Sequence, residues 1–228
     1  MVQALGSSRV VCSARRGGPM KSRVFWGNRQ DPLGGFQKES WEAARPKWKQ
    51  VHGVGIAEVT DLGQDCGEVD GLWTRTPGIP IGVVTADCVP ILLEHVSGSV
   101  RGALHAGWRG VFAGIPRAFF GSLPSELANP SDWRAIFGPS IRACCYEVSD
   151  ELIESFSREF QGLSRQLIEP AVRRLDLVAV LNHQFVSSGF AQPEVHPACT
   201  YCSMAAGEPV FQSYRRGDRQ SRQISIIL

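Results

Sequence analysis

Apolar and polar positions follow two periods along the chain, and one stretch drops the alternation almost entirely. IPIGVVTADCVPILLEH (79–95) holds two apolar runs parted by a polar break at Thr85–Pro90, which predicts one or two strands interrupted there. VHGVGIAEVT (51–60) alternates apolar with small or polar residues and ends in a turn, as a strand does. SVRGALHAGWRG (99–110) predicts a strand opening into a Gly-containing turn, and WRAIFGPSI (133–141) a strand and turn. Arg9–Cys12, running into a Gly-Gly turn, and the final RQISIIL (222–228) read as two further strands.

Helical spacing appears in three places. SDELIESFSREFQGL (149–163) has Ser149 as N-cap, with Glu151 and Glu154 in its first turns. RLDLVAVLNHQFVSSGF (174–190) puts Leu177, Val180, Leu181, Gln184 and Phe185 on one face and closes at Gly189. VFAGIPRAFFGSL (111–123) has the same spacing, interrupted by Pro116 and two glycines. Residues 19–49 are rich in Gly and Pro and predict loops with one short helix near 37–44. Strands and helices mix irregularly, without repeats or linkers, which predicts one α+β domain with mixed sheets over 1–228.

Composition narrows the function classes. Of 228 residues 43% are hydrophobic and 20% charged, an ordinary globular balance, and a net charge of +2 gives no reason to expect nucleic acid. The basic cluster SYRRGDRQSR (213–222) reads as a solvated face or an anion contact. No stretch approaches the ~18 to 20 apolar residues of a membrane span, and the N-terminus lacks a secretory apolar core. A cytoplasmic location is therefore expected. In a reducing compartment the seven cysteines are packed, metal-bound or catalytic rather than paired. There is no phosphate-loop, dinucleotide or H-E-x-x-H motif.

Three segments combine a strand end, a turn residue and a nitrogen or sulfur donor: His52 in KQVHGVG, Cys88 in TADCVP and His105 in LHAGWRG. Two imidazoles and a thiolate suit zinc with one position left open, and equally form the trigonal core of a blue-copper site. Taken singly, each His fits a structural role and Cys88 a packed thiol. The same residues allow nucleophilic catalysis, with Cys88 attacking, His105 as base and Asp87 orienting it or acting as acid. CTYC (199–202) has redox or metal spacing, but no second C-x-x-C completes a four-thiolate set. The adjacent Cys144–Cys145 pair reads as packing.

Taken in order, SARRGG, QVHG, VDGLWTRTPG, VVTADCVPILL, ALHAGWRGVFAG, FGPSIRACCYEV, LDLVAVL, CTYC and FQSYRRGD run along most of the chain. In these motifs the sequence resembles the YfiH-like family. That family is also called the laccase-domain or multicopper polyphenol oxidase family, and members are described as zinc-dependent purine nucleoside phosphorylases and as peptidoglycan editing factors. The resemblance implies a mixed α/β sandwich of αββα type, with His52, Cys88 and His105 on one zinc ion. It implies phosphorolysis of adenosine, inosine, guanosine or methylthioadenosine, and deamination of adenosine. Purine nucleoside and phosphate are then the partners, with neither nucleic acid nor membrane. Zinc in such a set lowers the pKa of water at its open position toward ~7, which suits deamination.

Phosphate recognition points to Arg15, Arg109 and Arg215, because guanidinium is planar and stays charged. Asp87 is an acid–base or ribose-binding candidate, or else the partner that fixes a His tautomer. Gln50, Ser140 and Tyr214 are candidates for the pocket lining. Copper-dependent phenol oxidation is the competing activity, but five His are too few for a four-copper laccase, which needs about ten. A precursor editor or hydrolase using Cys88 is a further alternative. Two departures from the family pattern stand out: the shortened, loop-rich 19–49 region, and Cys202 where the pattern has Thr.

Overall fold

The computed structural model describes residues 21–228, so the strand expected at Arg9–Cys12 and the candidate Arg15 lie outside the described residues. From the N-terminal side come β1 (Val24–Trp26), α1 (Lys38–Ala44), β2 (Lys47–Lys49), β3 (Ile56–Glu58), β4 (Asp65–Glu68) and β5 (Gly71–Thr74). The centre holds β6 (Ile81–Thr85), β7 (Val89–His95), β8 (Arg101–Ala106), α2 (Trp108–Phe112), α3 (Ile115–Ser122) and β9 (Trp133–Phe137). Next are α4 (Asp150–Glu159), α5 (Arg165–Ile168), α6 (Leu177–Ser187) and β10 (Glu194–Val195). The small strands β11 (Met204–Ala205) and β12 (Glu208–Pro209) precede β13 (Gln223–Ile227).

A six-stranded mixed sheet runs β10-β9-β7-β8-β5-β3, and a three-stranded antiparallel sheet runs β1-β13-β6. β7 lies between β8 and β9, antiparallel to both, with Pro90 opposite His105. Its Ile91 and Leu93 join a core with α2, α3, α4 and α6, while Leu92 joins one with Ile81, Val83 and Ile227 of the smaller sheet. A strand covered on both faces has no polar side to show, which is why VPILL does not alternate. The fold is α+β with mixed sheets, as its sequence implied.

Local chemistry explains the elements. Gly114 takes φ 79°, a left-handed value that ends α2 and lets α3 begin with Pro116 in its first turn. Pro116 thus starts a helix rather than breaking one. The Ser149 side chain accepts from Leu152 N–H at the head of α4, and Asp176 caps α6 through Val178 and Ala179 N–H. Among residues 19–49, α1 falls where a helix was expected, but β1 and β2 replace expected loop. Three-residue strands carry too few positions for a period to register.

Candidate metal centre

Two connections and a strand bring the donors together. His52 lies in the loop after β2, Cys88 in the turn between β6 and β7, and His105 within β8. One ligand atom from each lies within 4.8 Å of the others. The two imidazole rings sit edge to face with centroids 4.7 Å apart. His105 is buried, Cys88 half-buried and His52 exposed, so the set opens to solvent on the His52 side. A Cβ at Gly107 would come within 2.9 Å of His52 Cδ2 and 3.1 Å of Cys88 Sγ. Glycine there leaves the two donors room to approach.

Asp70, not among the residues expected at the site, organises this set. It is fully buried at the head of β5 and accepts from four N–H groups. Its Oδ1 takes His105 Nδ1 at 2.7 Å and His52 N–H at 2.9 Å. Its Oδ2 takes Gly53 N–H at 2.6 Å and Val51 N–H at 3.2 Å. Burial alone would raise its pKa, but the bonds from His105, Gly53 and His52 hold it below the usual carboxylate range. An ionised carboxylate only accepts, so Nδ1 of His105 carries the hydrogen and Nε2 is the free donor atom.

Electrostatics at the donors follow. Burial resists a Cys88 thiolate, but hydrogen bonds and positive charge from His105 and His52 outweigh it and bring the pKa to about 6. Burial likewise resists charge on His105, but Asp70 and Cys88 push it up to about 9. Two imidazoles and a thiolate form the donor set of an open zinc or copper site, and a dication bound there would displace the proton that His105 holds at Nε2 toward Cys88.

Asp87 follows a different pattern from the tautomer partner considered for it. No hydrogen bond joins it to either histidine. Oδ1 accepts from Thr200 Oγ1 at 2.7 Å and Oδ2 from Arg215 N–H at 2.8 Å. It is buried, with φ 93°, and His52 has φ 62°. Side chains rarely occupy that region; of the four non-glycine residues in it among the described residues, His52 and Asp87 sit in this centre, and Arg173 and Ala206 lie elsewhere.

The other candidates divide. Arg215 stacks on Tyr146, its Cζ 4.9 Å from the ring centroid, and donates from Nη1 to Glu147 O. Burial pushes Tyr146 up to about 12, with Arg215 opposing and Cys88 and Asp87 assisting. Arg109 is exposed and stacks on Trp108, with no acidic partner among the described residues. Ser140 is fully buried, and its hydroxyl has no partner among the described residues. The Gln50 amide is held at both ends by Val84, donating to its O at 2.7 Å and accepting from its N–H at 2.8 Å, so it pins the His52 loop to β6. Tyr214 is exposed and accepts from Arg219 Nη1. A hollow of about 320 Å³ is lined by Cys144, Cys145, Glu147, Arg174, Tyr201 and Arg215, of which Arg215 reaches Asp87 through its backbone N–H. A larger one, about 480 Å³, is lined by residues such as Arg23, Phe36 and Leu228 and holds none of this chemistry.

An α+β scaffold holding an open two-His, one-Cys donor set defines a class of candidate metalloproteins. Comparison with known proteins gives the family. Residues 36–228 match the model described as multi-copper polyphenol oxidoreductase laccase, and the chain belongs to this YfiH-like family. It is 30% identical over 186 residues to purine nucleoside phosphorylase YfiH of Escherichia coli K12, covering 81% of this chain and 74% of the relative. It is 34% identical to adenosine deaminase RL5 of an unknown prokaryotic organism, covering 70% of this chain and 62% of that one. The crystal structure of Bacillus licheniformis hypothetical protein YfiH superposes with a TM-score of 0.68 at 31% identity, over 79% of this chain and 73% of the other. Among the described residues no helix is long and apolar enough to cross a membrane.

Proposed function

We propose that this chain is a zinc-dependent purine nucleoside phosphorylase whose centre is His52, Cys88 and His105. The observation that carries the reading is the convergence of these three donors within 4.8 Å, with one imidazole oriented by a buried carboxylate. Family membership supports it, since the Escherichia coli relative is named for this activity. A zinc ion bound there supplies Lewis acidity at its open position.

The chain's own groups do the rest. Phosphorolysis holds hydrogen phosphate beside C1′ of the ribose; a C1′–O bond forms to it as the C1′–N bond breaks, and the proton it brings ends on the leaving purine. Arg215 and Arg109 are the guanidinium groups assigned to the phosphate, and Arg15 is a third. Asp87 has one lone pair spoken for on each oxygen and accepts from a ribose hydroxyl with those that remain. Tyr146 keeps its proton at neutral pH and acts as a hydrogen-bond donor.

A second reading, deamination of adenosine, is favoured by the relative named as an adenosine deaminase. In it C6 of the purine loses ammonia to water at the same centre. The two imidazoles beside Cys88 favour a third, in which its thiolate attacks the substrate carbon, the leaving group departs with the proton of His105, and water then releases the product from sulfur. One assay set separates them: inosine with phosphate, adenosine without it, and metal content, each with Cys88→Ala as control. Phosphate-dependent hypoxanthine release that tracks zinc supports the phosphorylase. Activity in chelated, metal-free protein would overturn it in favour of the thiolate, and copper-dependent oxidation of a phenol in favour of an oxidase.

A further inference from the structure

Four more cysteines converge away from the His52 set. Cys144 and Cys145 follow β9, Cys199 and Cys202 follow β10, and all four sulfurs lie within 4.8 Å of one another. The adjacent pair, expected to be packing, thus supplies the two thiols that CTYC lacked. We propose that these four cysteines form a second metal site, which binds one zinc ion in a closed tetrahedral set of thiolates.

The distances fit one ion. Zinc–sulfur bonds of ~2.3 Å in a tetrahedron put sulfurs about 3.8 Å apart. Cys144 Sγ and Cys202 Sγ are 3.8 Å apart. A disulfide would need ~2.05 Å, and a polynuclear iron–sulfur cluster would spread the sulfurs farther than this group allows.

The backbone is shaped for a thiolate. Arg142 N–H donates to Cys199 Sγ at 3.4 Å, and the N–H groups of Cys202 and Tyr201 face the same sulfur. Amides converging on one atom make an anion-binding concavity, and the thiolate is the ligating form of cysteine. Both ligand-bearing loops are fixed without a metal. Thr200 N–H donates to Ser140 O at 3.0 Å, Cys145 N–H to Arg142 O at 2.8 Å and Ser203 N–H to Cys199 O at 3.0 Å.

Four thiolates on a dication leave two negative charges, and cations surround them. Arg174 and Arg215 line the adjoining hollow, and Arg216 Nη1 donates to Thr200 O and Tyr201 O inside the loop. On binding, each thiol gives its proton to water as its bond to zinc forms, and no electron moves. With every position taken by sulfur, this site has no place for substrate and works by holding structure. What it holds is informative: Thr200, between two of the ligands, donates to Asp87. The second ion therefore positions Asp87 by clamping its partner.

The test counts metal on the full chain. Cys88→Ala removes a donor from the first centre, so it should retain one zinc per chain after gel filtration. Cys88→Ala combined with Cys202→Ser should retain none. A wild type carrying one zinc that Cys88→Ala keeps would sink the first-centre reading and leave this one standing. A folded but zinc-free Cys88→Ala protein would overturn the present proposal. Alkylation of the wild type read by mass spectrometry needs no variant to fold. Cys144, Cys145, Cys199 and Cys202 should be protected with zinc and labelled together after chelation. A disulfide among them in freshly purified protein, labelling indifferent to zinc, or iron in place of zinc would refute the assignment.

Discussion

Asp70→Asn changes no proposed ligand and yet should weaken the metal centre. The carboxylate accepts four N–H groups, two on each oxygen. Asparagine keeps one oxygen, so whichever way the amide turns, two of those donors face an NH2 group and lose their acceptor. A hydrogen bond to a charged group contributes about 1.5–3 kcal/mol, so the loss to folding should be about 3–6 kcal/mol. That is a large share of the ~5–15 kcal/mol that stabilises a typical domain. For the centre, losing the group that orients a ligating imidazole costs 10- to 100-fold in metal affinity as an order of magnitude. Chemical denaturation of chelated protein reads the first quantity, and zinc titration against a competing chelator reads the second. A variant within about 1 kcal/mol of wild type, or one with unchanged zinc affinity, would refute the argument that Asp70 sets both the loop and the tautomer.

Three other substitutions test separate parts of the structure. Gly107→Ala adds a methyl group against His52 and Cys88 at an ordinary backbone φ of −76°, so its effect is purely steric. It should cost about 1–3 kcal/mol and lower metal affinity, read by thermal melting with and without zinc. Leu92→Ala opens a cavity between the two sheets, where Leu92 is fully buried, and should cost about 2–5 kcal/mol by urea titration. Asp218 is held below its ordinary 3.8, burial being outweighed by Ser213 N–H, Arg29 and Arg216. A lowered carboxylate gives stability that is present above the ordinary value and lost as pH falls through the folded one. Asp218→Asn should therefore flatten the decline of stability below pH 3.8, and an unchanged slope there would show that the ion pairs contribute nothing.

The long elements were legible because burial imprinted them. The apolar run of β7, the capped α4 and the apolar face of α6 all have the length to register a pattern. β5 was not separated out, since GLWT is short and buried throughout, with no alternation to read. Asp70 was missed for the same reason. An Asp before Gly resembles a turn until β5 pairs with β8 and carries it beneath the His52 loop. The convergence of His52, Cys88 and His105 could be suspected from their turn contexts and the family resemblance. The four-cysteine cluster could not, because Cys145 and Cys199 lie 54 positions apart, and the pairing of β10 with β9 and the bridge between Ser140 and Cys199 close the gap only in the fold.

The left-handed backbone at His52 and Asp87 carries a further consequence. Each such residue gives up about 1–3 kcal/mol that glycine would recover in the same conformation. Selection for thermal stability alone would therefore drift toward glycine at position 52, removing a donor, whereas at position 87 the bonds to Thr200 and Arg215 that glycine would lose offset the gain. Stability and metal binding pull in opposite directions at position 52, so a screen for hardier variants of this protein must also score metal binding, or it will enrich those that have lost the donor.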